Sequence, residues 1–447
     1  MYLERGIALS PPSPSVAANA RLDQGRCLAT VVQAGEGRRV TPSLRDLLLA
    51  SLKVGCLGFG GPAGQIALMH RVFVEEKRWI DEPRYLHALG FCTLLPGPEA
   101  QQLATYVGWS LRGTWGGLAA GLLFVLPGAA LMFALSWLYA VHGETPLVAA
   151  AFDGVKAAVL ALVLEAIVRL GRRALTGPAD AIIAVAAFVA LTVAGLPFPL
   201  VVLAAAAIGA IRGRPDVEEP AEAAPLPPKR RTLATILLWT VIWLAPLAAS
   251  LVLLGGDHWL SRLGGVFAAL AATSFGGAYA LLAWLQQQAV ETYGWLTTAQ
   301  MVDGLGLAET TPGPLVLVNP FVGFMAGWNA TGGGLGWAAA GSSMALWQTF
   351  APSFLFIFAG APYADALRRS RLARGALAGV MAAVLGVVAG LALWFGRQVL
   401  LPEGQGFDAG AAAVAVIAAI ALMRFRANVV LVVAACAAAG VVRALLA

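Results

Sequence analysis

Apolar stretches of about 20 residues recur along this chain, and short polar or Gly/Pro-rich breaks separate them. A helix of that length crosses the roughly 30 Å hydrocarbon core of a bilayer. The ten-residue alternation of a membrane β-barrel is not seen in the sequence. The pattern therefore predicts an all-α, polytopic helical membrane protein. Its clearest predicted spans are Leu118 to Val141, Leu147 to Leu170, Thr235 to Leu254, Leu335 to Ala359 and Ala376 to Leu400.

Composition supports lipid as the main solvent. Hydrophobic residues make up 59% of the 447 positions and charged residues 12%, whereas soluble domains carry about 25% charged residues. The net charge of +6 comes from arginines at segment ends, which indicates membrane orientation rather than nucleic-acid binding. The four cysteines and four histidines show no ligand spacing, and no nucleotide loop or nucleophile motif is found. We expect no cofactor, metal site or enzyme, which favours a secondary carrier or a channel.

Two polar stretches divide the chain. The first 43 residues hold five arginines and no early apolar run, so they are interpreted as a cytoplasmic tail rather than a signal peptide. A Pro-, Glu- and Ala-rich stretch near the middle is typical of a linker. The predicted organisation is a tail at 1–43, a repeat unit at 44–212, a cytoplasmic linker at 213–232, an extra transmembrane helix at 233–255 and a second repeat unit at 256–447.

The strongest signal is an internal repeat. Residues 59–98 and 275–314 share 12 identities in 40 positions at a constant offset of 216. The matched positions include the FGG motif that begins at Phe59 or Phe275, and the PGP motif that begins at Pro96 or Pro312. The chain is therefore interpreted as a tandem duplication.

Charge indicates that the two copies are inverted in the membrane. The loop after the first FGG holds four basic residues, and the equivalent positions of the second copy hold none. Four arginines after the fourth predicted span, Leu335 to Ala359, have no counterpart in the first copy. By the positive-inside rule, equivalent loops face opposite compartments, and the extra helix 233–255 supplies the change of direction.

The FGG and PGP motifs predict helices that are broken or re-entrant within the membrane. Segments such as Leu86 to Leu95 and Glu99 to Leu111 are too short to span alone, so re-entrant hairpins and kinked full spans are both compatible with the pattern. Proline in the first helical turn makes Pro62, Pro98 and Pro314 plausible helix starts. Free N–H groups at such starts attract anions; close helix packing is the alternative role of these glycines.

Polar side chains beside the breaks suit a tetraoxyanion, because they donate hydrogen bonds without full neutralisation. An interhelical hydrogen bond is the alternative for each. Lys53 lies in an apolar segment, where it attracts an anion or snorkels to the interface. The substrate-binding candidates are Lys53, Gly60, Gly61, Pro96, Gly97, Pro98, Gln101, Gln102, Gly276, Gly277, Thr310, Thr311, Pro312, Gly313, Pro314 and Asn319.

Glu75 and Glu291 are the carboxylates kept at equivalent positions of the repeat, each four residues before a tryptophan. A carboxylate in a low-dielectric place exchanges protons near neutrality, which makes both residues candidates for proton coupling. Tryptophans also mark the membrane interface, where a glutamate is merely wet or capped. Both interpretations stay open.

The doubled blocks FGGPAGQIALMHRVFVEEKRWI with LLPGPEAQQLATYVGW, and SFGGAYALLAWLQQQAVETYGWL with TTPGPLVLVNPFVGFMAGW, resemble the two-domain members of the chromate ion transporter family. The resemblance implies a multi-pass protein of the bacterial inner membrane, with a cytoplasmic N-terminus, that exports chromate in exchange for protons. Expected partners are a chromate- or sulfate-like oxyanion, protons and the lipid bilayer, with a homodimer left open. The alternatives are a carrier of sulfate or another oxyanion and a structural membrane protein.

Overall fold

The computed structural model describes residues 42–59, 61–213, 228–275, 278–364, 367, 370–402 and 406–446, and Ser43–Ala447 forms one compact unit. Within these residues the regular structure is helical, without strands. The helices are α1 (Leu44–Leu57), α2 (Gly61–His70), α3 (Glu82–Cys92), α4 (Glu99–His142), α5 (Pro146–Ala174), α6 (Pro178–Thr192), α7 (Phe198–Arg212), α8 (Lys229–Leu254), α9 (Trp259–Thr273), α10 (Ala278–Gln286), α11 (Thr298–Thr310), α12 (Val318–Ala330), α13 (Leu335–Gly360), α14 (Arg371–Leu400), α15 (Ala409–Phe425) and α16 (Val429–Leu446).

Six helices in the described part of the chain are long and apolar enough to cross a bilayer. Each of the five predicted spans lies inside one of them, so the prediction of a polytopic helical membrane protein is confirmed. The sixth is α16, which the sequence analysis did not single out. The helix α8 begins at Lys229, inside the stretch predicted as linker, and most of its surface is exposed. The helical spans are α4, α5, α8, α13 with its following turn, α14 and α16.

The duplication is visible in the backbone. A π-helical turn follows α2 at Arg71–Glu76, and another follows α10 at Gln287–Thr292, at the same offset of 216 residues. The central glycines of the two PGP motifs, Gly97 and Gly313, share a φ of 113°, which residues with a side chain rarely adopt. Each half therefore repeats the same unusual turns as well as the same motifs.

The chain reverses direction at both PGP motifs. The rings of Phe91 and Tyr106 lie 5.9 Å apart, whereas 15 residues of continuous helix would span about 22 Å. In the second half, the side-chain amide of Asn329 donates to Gln300 Oε1 at 3.0 Å, across the whole length of α11 and α12. Helical hairpins, rather than kinked spans, thus carry the PGP motifs at their tips. The first arm, α3, ends at Cys92 instead of the predicted Leu95, because Thr93 to Pro98 form the turn.

A second reversal follows each PGP hairpin. Arg112 and Gly113 leave the helical conformation and divide α4 into antiparallel parts, 99–111 and 114–142. Gly108 and Gly116 face each other there so closely that a Cβ on Gly108 would lie 2.3 Å from the Gly116 carbonyl oxygen. In the second half, Gly323 contacts Gly341 in the same way. Such glycine contacts are a common way to join helices in lipid.

The two halves also interlock through their long helices. The first-half helix α5 packs against α15 and α16 of the second half, while the second-half helix α14 packs against α6 and α7 of the first. Glycines mediate both contacts: Gly154 meets Gly440, and Gly209 meets Gly375. Neither half is therefore a separate body, and the motif loops of both are held inside one shared helical assembly.

Candidate functional site

The PGP tip of each half is hydrogen-bonded to the turn before the FGG motif of the other half. The N–H of Gly97 donates to the carbonyl of Ser274 at 3.0 Å, and the N–H of Gly313 donates to the carbonyl of Gly58 at 2.9 Å. Gly58 and Ser274 are equivalent in the repeat, so the two bonds are reciprocal. The predicted motifs are thus brought together in the core, with Gly61 starting α2; Gly60, Gly276 and Gly277 lie outside the described residues.

Buried amides hold the tips in place. The side chain of Gln65 donates to the carbonyls of Gly58 and Gly313, which ties the first FGG turn to the second PGP tip. Gln102 donates to the carbonyl of Pro96 at 2.6 Å, and Gln101 donates to the carbonyl of Phe350 at 3.4 Å. The N–H donors of these glutamines are therefore used by the backbone. Gln65 was missed by the sequence analysis because a single glutamine in an apolar helix has no distinctive pattern.

Several buried polar atoms around the first PGP tip have no hydrogen-bond partner among the described residues. They include the Oε1 atom of Gln102 and the hydroxyls of Ser274 and Ser353. The Ser353 hydroxyl lies beside Gly97, since a Cβ on that glycine would be 3.5 Å from it. Buried polar atoms without partners are costly. The tip is therefore suited to a polar guest that accepts from the hydroxyls.

The second PGP tip is arranged differently. The hydroxyls of Thr310 and Thr311 donate to the carbonyl of Leu307 at 2.9 and 2.7 Å, so both are used within their own helix. The amide of Asn319 donates to Thr349 Oγ1 at 2.9 Å. Pro98 caps α4 directly, whereas Pro314 precedes the short 3-10 turn Leu315–Leu317. Only the first motif thus opens directly into an α-helical N-terminus.

A cavity of about 900 Å³ lies in the first half, next to that helix start. Its walls include Pro62 and Gly64 in the first turn of α2, and Glu99, the first residue of α4. Arg169 and Arg173 reach it from the last turns of α5. With Arg71, two helix N-termini and three guanidinium groups therefore face one space, a combination that attracts anions.

The arginines of the cavity differ in their ion pairs. Arg169 lies 3.6 Å from Glu165, and Arg71, which also lines the cavity, lies 3.6 Å from Glu76. Arg173 has no carboxylate within 4 Å in the described part of the chain, and it acts on Glu99 at longer range. Sequence reasoning assigned such arginines to membrane orientation, which is why Arg169 and Arg173 were not singled out.

Lys53, Glu75 and Glu291 lie at the surface rather than in the core. Lys53 Nζ is 2.9 Å from Glu76, and both side chains are about two-fifths exposed or more. Glu75 lies 3.2 Å from His70 with 59% of its side chain exposed, and Glu291 accepts a hydrogen bond from Gln286 at 2.8 Å. These carboxylates lie in the two π-helical turns, and their role in proton coupling stays a prediction.

His70 sits between two carboxylates at the end of α2. Its Nε2 is hydrogen-bonded to Glu82, and its Nδ1 faces Glu75. The hydrogen bond and charge of Glu82, with a smaller contribution from Glu75, raise the pKa of His70 against the opposing effect of burial. His70 and Glu75 both line the 900 Å³ cavity, so its rim has a positive charge that depends on pH.

Broken helices, hairpin tips buried in a shared core and a basic cavity define the class of the protein: a polytopic membrane transporter. The family model for the chromate transporter matches residues 45–210 and 261–441, and the chain belongs to this family. It is 33% identical to the chromate transport protein of Pseudomonas aeruginosa, over 77% of this chain and 79% of that one.

Other relatives match a similar extent. The chromate transport protein of Cupriavidus metallidurans is 29% identical, over 86% of this chain and 89% of that protein. The probable chromate transport protein of Synechococcus elongatus is 29% identical, over 80% and 86% of the two chains. No solved structure matches this chain.

Proposed function

We propose that this protein exports chromate across the bacterial inner membrane as a secondary carrier, in exchange for protons. The observation that carries the proposal is the basic cavity beside the first PGP tip. Arg173 and Arg169 supply positive charge, and the N-terminus of α4 at Glu99 supplies free N–H groups. Relatives that cover most of the chain bear the name chromate transport protein.

The chemistry of the cavity fits a dianion of this kind. A tetraoxyanion loses its hydration in the membrane, and oriented N–H dipoles with a nearby guanidinium replace that hydration without burying a full countercharge. The hydroxyls of Ser274 and Ser353 have no partners in the described residues, and they offer hydrogen-bond donors to an anion that moves from the cavity to the PGP tip beside Gly97. A path from the arginines to the PGP tip follows from this arrangement.

The direction of transport is supported by charge. The cavity lies at the end of α5 that carries Arg172 and Arg173, and near the basic loop that follows α2. By the positive-inside rule this end is cytoplasmic, so the cavity would load from the cytoplasm, with the N-terminus on the same side. The reciprocal bonds of Gly97 and Gly313 are the contacts that an inverted repeat would make about an axis in the membrane plane.

Inverted membrane vesicles test the proposal. Vesicles that hold the protein should accumulate chromate, and an imposed proton gradient should accelerate the uptake. Arg173→Gln should raise the chromate concentration needed for half-maximal uptake about tenfold, the loss of one charge-assisted contact worth ~1.5 kcal/mol. Arg172→Gln, a neighbour that does not line the cavity, should keep the wild-type value.

Three results would change the conclusion. Uptake no greater than in vesicles without the protein would refute transport. Inhibition by about half with an equal, saturating concentration of sulfate, and sulfate uptake at the same rate, would assign the carrier to tetraoxyanions in general. Equal behaviour of Arg173→Gln and Arg172→Gln would remove the cavity from the substrate path.

A further inference from the structure

A buried carboxylate in the second half has been left without a role. Asp303 lies on α11, one arm of the second PGP hairpin, and its residue surface is 5% exposed. The hydroxyl of Tyr139 donates to its Oδ2 at 2.7 Å. Its Oδ1 has no hydrogen-bond donor among the described residues, and the nearest cation is Lys156 Nζ at 3.9 Å. An ionisable group placed like this in a membrane protein is commonly functional.

Lys156 is shared between two carboxylates. Its Nζ lies 2.9 Å from Asp153 Oδ1, well inside hydrogen-bond distance, and 3.9 Å from Asp303 Oδ1. The side chain of Asp153 is 69% exposed, so water stabilises its charge. Asp303 is buried, and the ammonium group of Lys156 lies farther from it than from Asp153. A buried ion pair needs close geometry and further hydrogen bonds to offset desolvation. Of the two carboxylates, Asp303 is therefore the one whose charge is less stabilised and which binds a proton more readily.

Few other charged groups face this cluster. The helices packed against α11 are α4, α5, α12 and α16. Tyr139 comes from α4, with Glu144 acting on it from beyond the helix end, and α12 has no titratable residue. The titratable groups of α16 are Cys436 and Arg443, and Arg443 is paired with Asp408 at 2.9 Å.

A second cavity lies beside Lys156, near the other end of α5. A cavity of about 330 Å³ is lined by Asp153, Lys156, Asp408 and Arg443. Lys156 and Arg173 are separated by 17 positions of α5, which corresponds to about 25 Å along the helix. The two cavities thus lie near opposite ends of α5. Lys156, which lines the smaller cavity, separates that cavity from Asp303.

From this geometry we propose that Asp303 is the proton-exchange site of the carrier. A proton that enters through the 330 Å³ cavity binds to Oδ1, Asp303 becomes neutral, and Lys156 remains paired with Asp153 alone; when the proton leaves towards the other side of the membrane, Asp303 regains its charge and its contact with Lys156. Since α11 ends at Thr310, about 10 Å from Asp303 and next to the PGP tip, the change in charge acts on the hairpin that is bonded to Gly58. The coupling to chromate rests on the proposed function.

Infrared difference spectroscopy tests the proton exchange without any substrate. Purified protein is brought from about pH 5 to about pH 8. This range covers the titration of a carboxyl group whose pKa lies above its ordinary value because of burial. The wild type should lose a protonated-carboxyl band, Asp303→Asn should lack that band, and Asp257→Asn, a fully exposed control, should keep it. Tyr139→Phe should shift the band because it removes the hydrogen bond to the carboxyl group. A band that is unchanged in Asp303→Asn, or unshifted in Tyr139→Phe, overturns the proposal.

A flux measurement tests the coupling. In proteoliposomes, Asp303→Asn should exchange chromate across the membrane at equal pH but lose most of the roughly tenfold acceleration expected from an imposed pH gradient of about one unit. Full acceleration in Asp303→Asn overturns the coupling role. If the wild type moves no chromate at all, the proposed function fails, and the infrared spectra still decide whether Asp303 exchanges a proton.

Discussion

The two PGP hairpins share a backbone and differ in what surrounds them. Gly97 and Gly313 have the same φ and donate to equivalent carbonyls of the opposite half. Around the first tip lie buried glutamines, hydroxyls without partners and the basic cavity. At the second tip, the position of Gln101 is taken by the buried Leu317, and the turn that follows the motif is apolar. The backbone of the hairpin is duplicated, but the polar side chains around it are not.

This difference suggests how a duplicated carrier divides its work. Two equal sites would compete for one ion, whereas two tips with different polar groups leave a single place for it. The titratable groups are divided as well. The position of His70 in the first half is taken by Gln286 in the second, and the position of the buried Asp303 is taken by His87 in the first. The two halves therefore share their backbone turns and differ in the titratable residues at these positions.

The largest effect is expected where the second tip is seated on the first half. A Cβ on Gly128 would lie 2.1 Å from the carbonyl oxygen of Pro312 and 2.6 Å from a methyl group of Leu317. Gly128→Ala should push the tip away, lower the free energy of unfolding by about 3 kcal/mol and abolish transport, since backbone cannot move aside as a side chain can. Thermal unfolding in detergent, followed by tryptophan fluorescence, measures the change.

Gly336→Ala is the matched control, because it lies in a long helix with open space around its Cβ position. That variant should be neutral or slightly more stable, by the helix preference of alanine over glycine. If Gly128→Ala unfolds at the same temperature as Gly336→Ala and still transports, the two halves do not depend on close contact at this tip.

A smaller effect is expected when the helix that holds the second tip is made to resemble its repeat equivalent. Gln65→Leu copies Leu281 and keeps a similar volume, but it removes both hydrogen bonds to Gly58 and Gly313. The loss should cost about 2 kcal/mol, because a buried carbonyl is left without its donor. Gln288→Leu, on the π-helical turn with one long hydrogen bond to Thr292, should change stability by less than about 0.5 kcal/mol. Equal melting temperatures of the two variants would show that the glutamine does not hold the tips together.

Much of the fold follows from local patterns in the sequence. Apolar runs of sufficient length predict the spans, and the FGG and PGP positions predict where the helices break. Identities at a constant offset predict the repeat. The packing of helices of one half on helices of the other half does not follow from such patterns, because the packing of α5 on α15 and α16 joins segments more than 200 residues apart. Charge also failed to distinguish hairpins from kinked spans, which the contact of Phe91 with Tyr106 resolves.

The sequence predicted candidate residues at the hairpin tips, including Gln101 and Gln102, but none of the arginines of the cavity. The glycines at 97 and 313 stood out because they recur within matched motifs. Arg173 resembles any basic residue at the end of a membrane helix, and its lack of a close carboxylate in the described structure is visible only when the helices are assembled. Asp303 has no repeated partner, since position 87 is histidine, so the search for equivalent carboxylates passed over it.

The smallest effect concerns the residue just before each π-helical turn, which is His70 in the first half and Gln286 in the second. His70→Gln copies Gln286 and removes a group whose pKa is raised by Glu82 and Glu75. A raised pKa means that the stabilising contribution is complete below the unfolded value of 6.5 and is lost as pH rises through the folded value. The wild type should therefore be more stable than His70→Gln at pH 6, by less than about 1 kcal/mol as for other exposed ion pairs. The two should melt alike near about pH 9. His142→Gln, at the exposed end of α4, should show no such convergence, and a difference for His70→Gln that grows with pH would contradict the assignment.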